Sequence, residues 1–220
     1  MAKYLIHAST KRLWYVQEYL IPSMLEQGIV KNNISVYVDV NNEGCLESCM
    51  KAFLSVPKNN KGTWHMQDDV IICTDFKERT EELDKERVVC GYCYSQDGRR
   101  EFIGRVTPKQ IWYSFPCIRI PNRIARGCAN WYFNHAKFQT NYQTWVKLQK
   151  YDDSMFDIYL QDYHPQESVL NIVPNLVDHI DYLIGGSLIN DNRPEKETHS
   201  MFFKDVFLIA ELEKKLKNSS

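Results

Sequence analysis

The chain has 220 residues, 44% of them hydrophobic and 25% charged, and its 27 basic and 28 acidic side chains leave a net charge of −1. That length suits one domain, or one domain with a small appendage, able to bury a sizeable core. The near-cancelling charge excludes a global field directed at nucleic acid or an anionic membrane, and no apolar run has the length of a secretory signal or a membrane-spanning helix. Seven cysteines are scattered, and the single CxxC, Cys90 with Cys93, has no second ligand pair to complete a zinc site. They read as reduced, mostly buried thiols of a cytoplasmic protein.

In chain order, Tyr4–Ala8 predicts a first strand, and Ser9, Thr10, Lys11 and Arg12 form the polar loop at its carboxyl end. Leu13, Val16, Leu20 and Leu25 recur at helical spacing, with Gly28 as the cap and Pro22 placed to kink or split the helix. Ile34–Val38 is a second strand closed by Asp39 and the turn residues Asn41, Asn42 and Gly44. Leu46–Val56 is again helical by pattern. The stretch Gly62–Cys73, GTWHMQDDVIIC, then sets Asp68 and Asp69 against the apolar run Val70–Cys73, which reads as a strand buried in the middle of a sheet. Carboxylates are costly to bury unless something neutralises them. Two at a strand end suggest a divalent cation and its phosphates, although an isolated pair of this kind is also a common helix cap or solvated turn.

Further on, Asp75–Lys85 is a charged surface helix, Val88–Cys93 a strand, and Ser95–Glu101 a hydrophilic loop. Ile111–Ile120, interrupted by Pro116, reads as a strand or ribbon, and Ala125–Phe138 as a helix. Asp152 or Asp153 caps a helix over Met155–Tyr163, Val169–Val173 is a late strand, and a last helix spans about Met201 to Leu216. Strand, helix, strand, helix, strand predicts an α/β domain with a mostly parallel central sheet flanked by helices. Ligands of such sheets collect beyond the carboxyl ends of the strands. Arg12, Asp39, Asp68 and Asp69 would all fall at that edge.

The order of these motifs resembles nucleotide-sugar glycosyltransferases of the GT-A (Rossmann-like) fold, of the small bacterial and phage type and, more loosely, the lipopolysaccharide and collagen galactosyltransferase-like group. The resemblance covers about Tyr4 to Asn190 and implies one domain, with a nucleotide-binding half over about 1–95, an acceptor-side half over about 96–200 and a C-terminal helix over about 201–217. It implies that Ser9, Thr10 and Arg12 cradle the nucleoside or phosphates and that Asp39 meets the base or ribose; each also reads as an ordinary turn residue. Gln67-Asp68-Asp69 stands where the family places its DxD or EDD metal motif, with Gln67 replacing the first acid. Asp69 would then ligate Mn²⁺ or Mg²⁺, and Asp68 would contact ribose or sugar. In Pro174–Leu188, PNLVDHIDYLIGGSL, the resemblance makes His179 the second metal ligand, and Gly185, Gly186 and Ser187 could offer backbone N–H groups to a phosphate. The plainer readings are a polar histidine and a tight turn.

Inverting enzymes of this fold place a general base at the start of a helix facing the acceptor, which would be Asp153 or, second, Asp152. The implied activity is metal-dependent transfer of a sugar from a nucleotide-sugar donor, a UDP-sugar first, to a hydroxyl of a glycan or of a hydroxymethylated base in phage DNA. The small net charge weighs against a duplex acceptor. Two rival classes stay open: a non-catalytic nucleotide- or sugar-binding module of the same fold, favoured by Gln67, and a nucleotidyltransferase using the same carboxylates.

Overall fold

The first five residues of strand β1 (Tyr4–Ser9) are buried whether they point up or down, as expected of a strand covered on both faces. A computed structural model describes residues 2–83, 88–92, 116–138, 169–172, 174–186 and 203–218. In it β1 lies between two parallel neighbours, β2 (Ile34–Asp39) and β3 (Gly62–Gln67). Beyond β3 come β6 (Cys117–Pro121), antiparallel to it, then β5 (Val88–Cys90) and β7 (Val169–Asn171), giving the order β2-β1-β3-β6-β5-β7. The sheet is mixed, with three parallel and two antiparallel pairings. With helices on its faces, it is an α/β arrangement of the kind expected from the sequence.

The alternation of side chains along a strand sorts the core into two clusters. Tyr4, Ile6, Ala8, Trp64 and Met66 face one way, onto the segment after β1 and the elements near the C-terminus. Leu5, Ile118 and Ile120 face the other way, onto α3 (Cys45–Ser55) and α5 (Asn122–Phe138). Between β1 and the 3-10 turn Lys31–Asn33, the chain forms α1 (Leu13–Tyr15), a π-helical turn (Val16–Leu20) and α2 (Ile21–Glu26) in unbroken succession. The expected disturbance at Pro22 takes this form: proline lacks the N–H that would continue the ladder, and the π turn directly before it carries the change of register. Gly28, at φ 80°, ends the helix as its cap.

Two expectations need correction. The strand in the middle of the sheet is Gly62–Gln67, and the apolar run after the two aspartates is a separate short strand, β4 (Val70–Ile72). It pairs antiparallel with β8 (Val177–His179) in a two-stranded ribbon outside the main sheet. Asp68 and Asp69 make the turn between the two strands, where the chain leaves one sheet for another. The last helix, α6 (Phe207–Asn218), starts later than Met201. Just before it, Asp205 accepts hydrogen bonds from the Thr74 N–H (2.8 Å) and hydroxyl (3.0 Å), and Lys204 donates to Asp75 (2.6 Å), fastening the C-terminal segment beside α4 (Phe76–Glu82).

Candidate functional site

The register of the parallel strands sets Ser9 beside Asp39, and His7 beside Gln67. Three strand ends therefore share one edge, and the Asp68-Asp69 turn leaves from it. Ser9 fixes the first of these acids: its N–H (2.6 Å) and hydroxyl (3.0 Å) both donate to one oxygen of Asp68. Arg12, only 3% exposed, is folded back by the turn after β1, in which its own N–H donates to the Ser9 carbonyl (3.3 Å). Its Nη1 donates to the other Asp68 oxygen (3.3 Å) and to Asp69 Oδ2, and its Nη2 donates to the Gly186 carbonyl.

His179 reaches the same place by the β4–β8 pairing, which aligns it with Val70, and by the Ile180 N–H donating to the Asp69 carbonyl (2.8 Å). Its Nε2 lies 3.1 Å from Asp69 Oδ1. On the far side of the ring, Nδ1 lies 3.3 Å from Asp181 Oδ1. Tyr15 steadies the floor by donating its hydroxyl to the Val70 carbonyl (2.9 Å).

Burial is the largest influence on each of these groups. It raises Asp68 to about 6, with the neighbouring Asp69 adding to the rise and Arg12 and Ser9 opposing it. For Asp69 burial also acts upward, but His179 and then Arg12 outweigh it and hold the carboxyl well below the usual range. For His179 burial acts downward, and Asp69 and Asp181 reverse it, so the imidazole holds a proton more tightly than usual. Among the described contacts, Asp68 and Asp69 share one permanent cation, Arg12, and His179, while it holds its proton, adds a second positive charge between Asp69 and Asp181.

Such a set fits a divalent cation. The donors are a carboxylate and an imidazole, a pairing suited to Mn²⁺, and a second carboxylate backs the far ring nitrogen. Ligands in adjacent positions around an ion at about 2.1 Å stand about 3 Å apart, and Asp69 Oδ1 and His179 Nε2 are 3.1 Å apart. Among the described residues Cys73, Asp75 and Asp205 also stand close enough to share an ion. There Lys204 and Arg79 serve Asp75, Asp205 accepts twice from Thr74, and burial pushes the Cys73 thiol up to about 12.

Of the residues singled out from sequence, Ser9, Arg12, Asp68, Asp69, His179 and Gly186 converge, and Gly185 lies in the same turn. Thr10 is exposed in the loop. Asp39 stands on the shared edge and accepts the Glu43 N–H (3.0 Å), closing its own turn. Gly185 and Gly186 have φ of 111° and 78°, as the tight turn requires. The Gly186 N–H donates to the Asp181 carbonyl within that turn (2.8 Å). Asp152, Asp153 and Ser187 lie outside the described residues. Asp181 was missed; an acid two residues after a candidate ligand histidine was the available signal.

No family model matches the chain, and neither does any curated protein. Among solved structures it is similar to the galactosyltransferase LgtC, crystallised with donor and acceptor sugar analogs, at 10% identity over 98% of this chain and 95% of that one, with a TM-score of 0.49. It is also similar to a Bacillus anthracis protein assigned as a glucose-1-phosphate thymidylyltransferase, in complex with a sucrose, at 9% identity over 81% of this chain and 89% of that one, with a TM-score of 0.44. A third similarity, to HddC of Yersinia pseudotuberculosis, covers 58% of this chain and 80% of that one at 12% identity, with a TM-score of 0.31.

Proposed function

We propose that this chain is a glycosyltransferase that moves a sugar from a nucleotide-sugar donor, a UDP-sugar first among them, to an acceptor hydroxyl. One observation carries the proposal: Asp69 and His179, 110 positions apart in sequence, stand 3.1 Å apart at the carboxyl edge of the parallel strands, beside the buried Asp68 and Arg12. In this reading Asp69 and His179 hold Mn²⁺ or Mg²⁺, which when bound would absorb charge building on the departing nucleoside diphosphate. Arg12 supplies the fixed positive charge beside it. Its Nε–H is buried without an acceptor, which leaves one donor for a phosphate oxygen. Asp68, locked by Ser9, faces ribose or sugar, and Asp39 stands on the nucleoside side.

The acceptor is a glycan hydroxyl or a hydroxymethyl group on a DNA base. Its proton would pass to Asp153 or, in the other register, Asp152; a sugar hydroxyl attacks poorly until that proton is being removed.

The test is hydrolysis of a panel of UDP-sugars by the full chain, with and without Mn²⁺, beside Asp69→Ala. Mn²⁺-dependent release of UDP that disappears in the variant supports the transferase. Absence of both turnover and metal-dependent UDP binding overturns it in favour of a binding module. Pyrophosphate release from a nucleoside triphosphate and a sugar phosphate overturns it in favour of nucleotidyl transfer.

A further inference from the structure

The loop after β8 contains a buried acid that the transfer chemistry above does not use. Asp181 is 4% exposed and opens a 3-10 turn, Asp181–Leu183. A carboxylate in such a place has to be matched by a donor or a cation. Its Oδ1 accepts the Tyr182 N–H (2.9 Å) and lies 3.3 Å from His179 Nδ1. The ring thus stands between two carboxylates, Asp181 facing Nδ1 and Asp69 facing Nε2, at ion-pair distance. Turning the imidazole over would set a carbon against each carboxylate.

The backbone of Asp181 reaches a second part of the site. Its carbonyl accepts the Ile184 N–H (3.1 Å) and the Gly186 N–H (2.8 Å), and so shapes the turn whose Gly186 carbonyl receives Arg12. A capping acid for a short turn would need no imidazole, and a ligand histidine without a backing acid would be free to present either nitrogen.

We propose that Asp181 is the positioning residue of this site: it holds His179 with Nδ1 turned inward, so that Nε2 is committed to a divalent cation beside Asp69. This rests on the metal reading given above. A carboxylate behind a ligand histidine fixes ring orientation and raises ligand basicity, and its loss typically costs about 10–100-fold in metal affinity.

The experiment is Mn²⁺ titration of the full-length chain by calorimetry, with pulsed EPR of the bound ion to detect coupling to an imidazole nitrogen. Wild type, Asp181→Asn, Asp181→Ala and His179→Ala are compared. The expected result is Mn²⁺ binding with nitrogen coupling in wild type, affinity about 10–100-fold weaker in Asp181→Ala, and partial rescue in Asp181→Asn, whose amide oxygen still accepts from Nδ1–H. Equal affinity and equal nitrogen coupling in wild type and Asp181→Ala overturns the role of Asp181 while leaving the metal site standing. No Mn²⁺ binding by wild type overturns both.

Should Asp181→Ala fail to fold, ¹⁵N NMR of histidine-labelled wild type with Mg²⁺ decides instead. A proton on Nδ1 of His179, with Nε2 bare, supports the assignment, and the opposite tautomer overturns it.

Discussion

Arg12→Ala tests the electrostatics of the site most directly. The side chain is 3% exposed and serves Asp68, Asp69 and the Gly186 carbonyl together, so its removal leaves two carboxylates buried beside each other with a single cationic partner, His179. Breaking a buried ion pair from one side costs roughly 3–5 kcal/mol. The lower end is expected, because Asp68 already holds its proton up to about 6 and can escape by protonation. At this chain length about 3 kcal/mol corresponds to a fall of about 6–12 °C in Tm. Urea unfolding at pH 7, followed by circular dichroism, measures the loss, and the loss should shrink toward pH 5. Mn²⁺ should stabilise the variant more than the wild type, since the guanidinium no longer repels the ion. A loss under about 1 kcal/mol, or equal stabilisation of both proteins by Mn²⁺, would refute the charge accounting.

Asp69→Asn keeps the volume and removes the ligand charge: Mn²⁺ at about 100 times the wild-type Kd should stabilise wild type by about 2.7 kcal/mol and the variant by almost nothing, read as a shift in Tm. His7 and His65 meet at 2.9 Å against Phe53, and burial drives His7 down to about 3 and His65 well below its ordinary value. Folded-state values below the unfolded one mean stability that is present above about pH 6.5 and lost as pH falls, by up to about 1.4 kcal/mol per pH unit for each ring; urea midpoints from pH 7 to 5 should show this slope, roughly halved in His65→Leu. Gly91→Ala would set a Cβ 2.9 Å from Leu176 Cδ1 and 3.0 Å from Cys117 Sγ. Overpacking of this kind costs about 1–3 kcal/mol, and because Leu176 and Val177 hang from the Gly91 carbonyl, Mn²⁺ affinity should fall with stability.

Local pattern was enough for most elements of the described chain. Tyr4–Ser9 and Cys45–Ser55 form where apolar periodicity places them, because burial on one or both faces is written into adjacent residues, and Ile34–Asp39 forms as a half-exposed edge strand from its β-branched and aromatic run. The shared edge holding Ser9, Arg12, Asp39, Asp68 and Asp69 followed from the same pattern, since parallel strands joined by helices align their carboxyl ends. Val70–Ile72 was misplaced because a short apolar run looks alike in a central strand and in a buried ribbon; its partner, Val177–His179, lies more than a hundred residues away.

What sequence determined by itself, then, is the kind of sheet and which acids stand at its edge. Only tertiary pairing decided that His179 meets Asp69, that Asp181 backs the ring, and that Arg12 turns inward onto both aspartates rather than outward to water. The physical reason is range. Burial patterns repeat every two to four residues and can be seen locally, whereas a charge is matched by whatever the folded chain brings within about 4 Å of it.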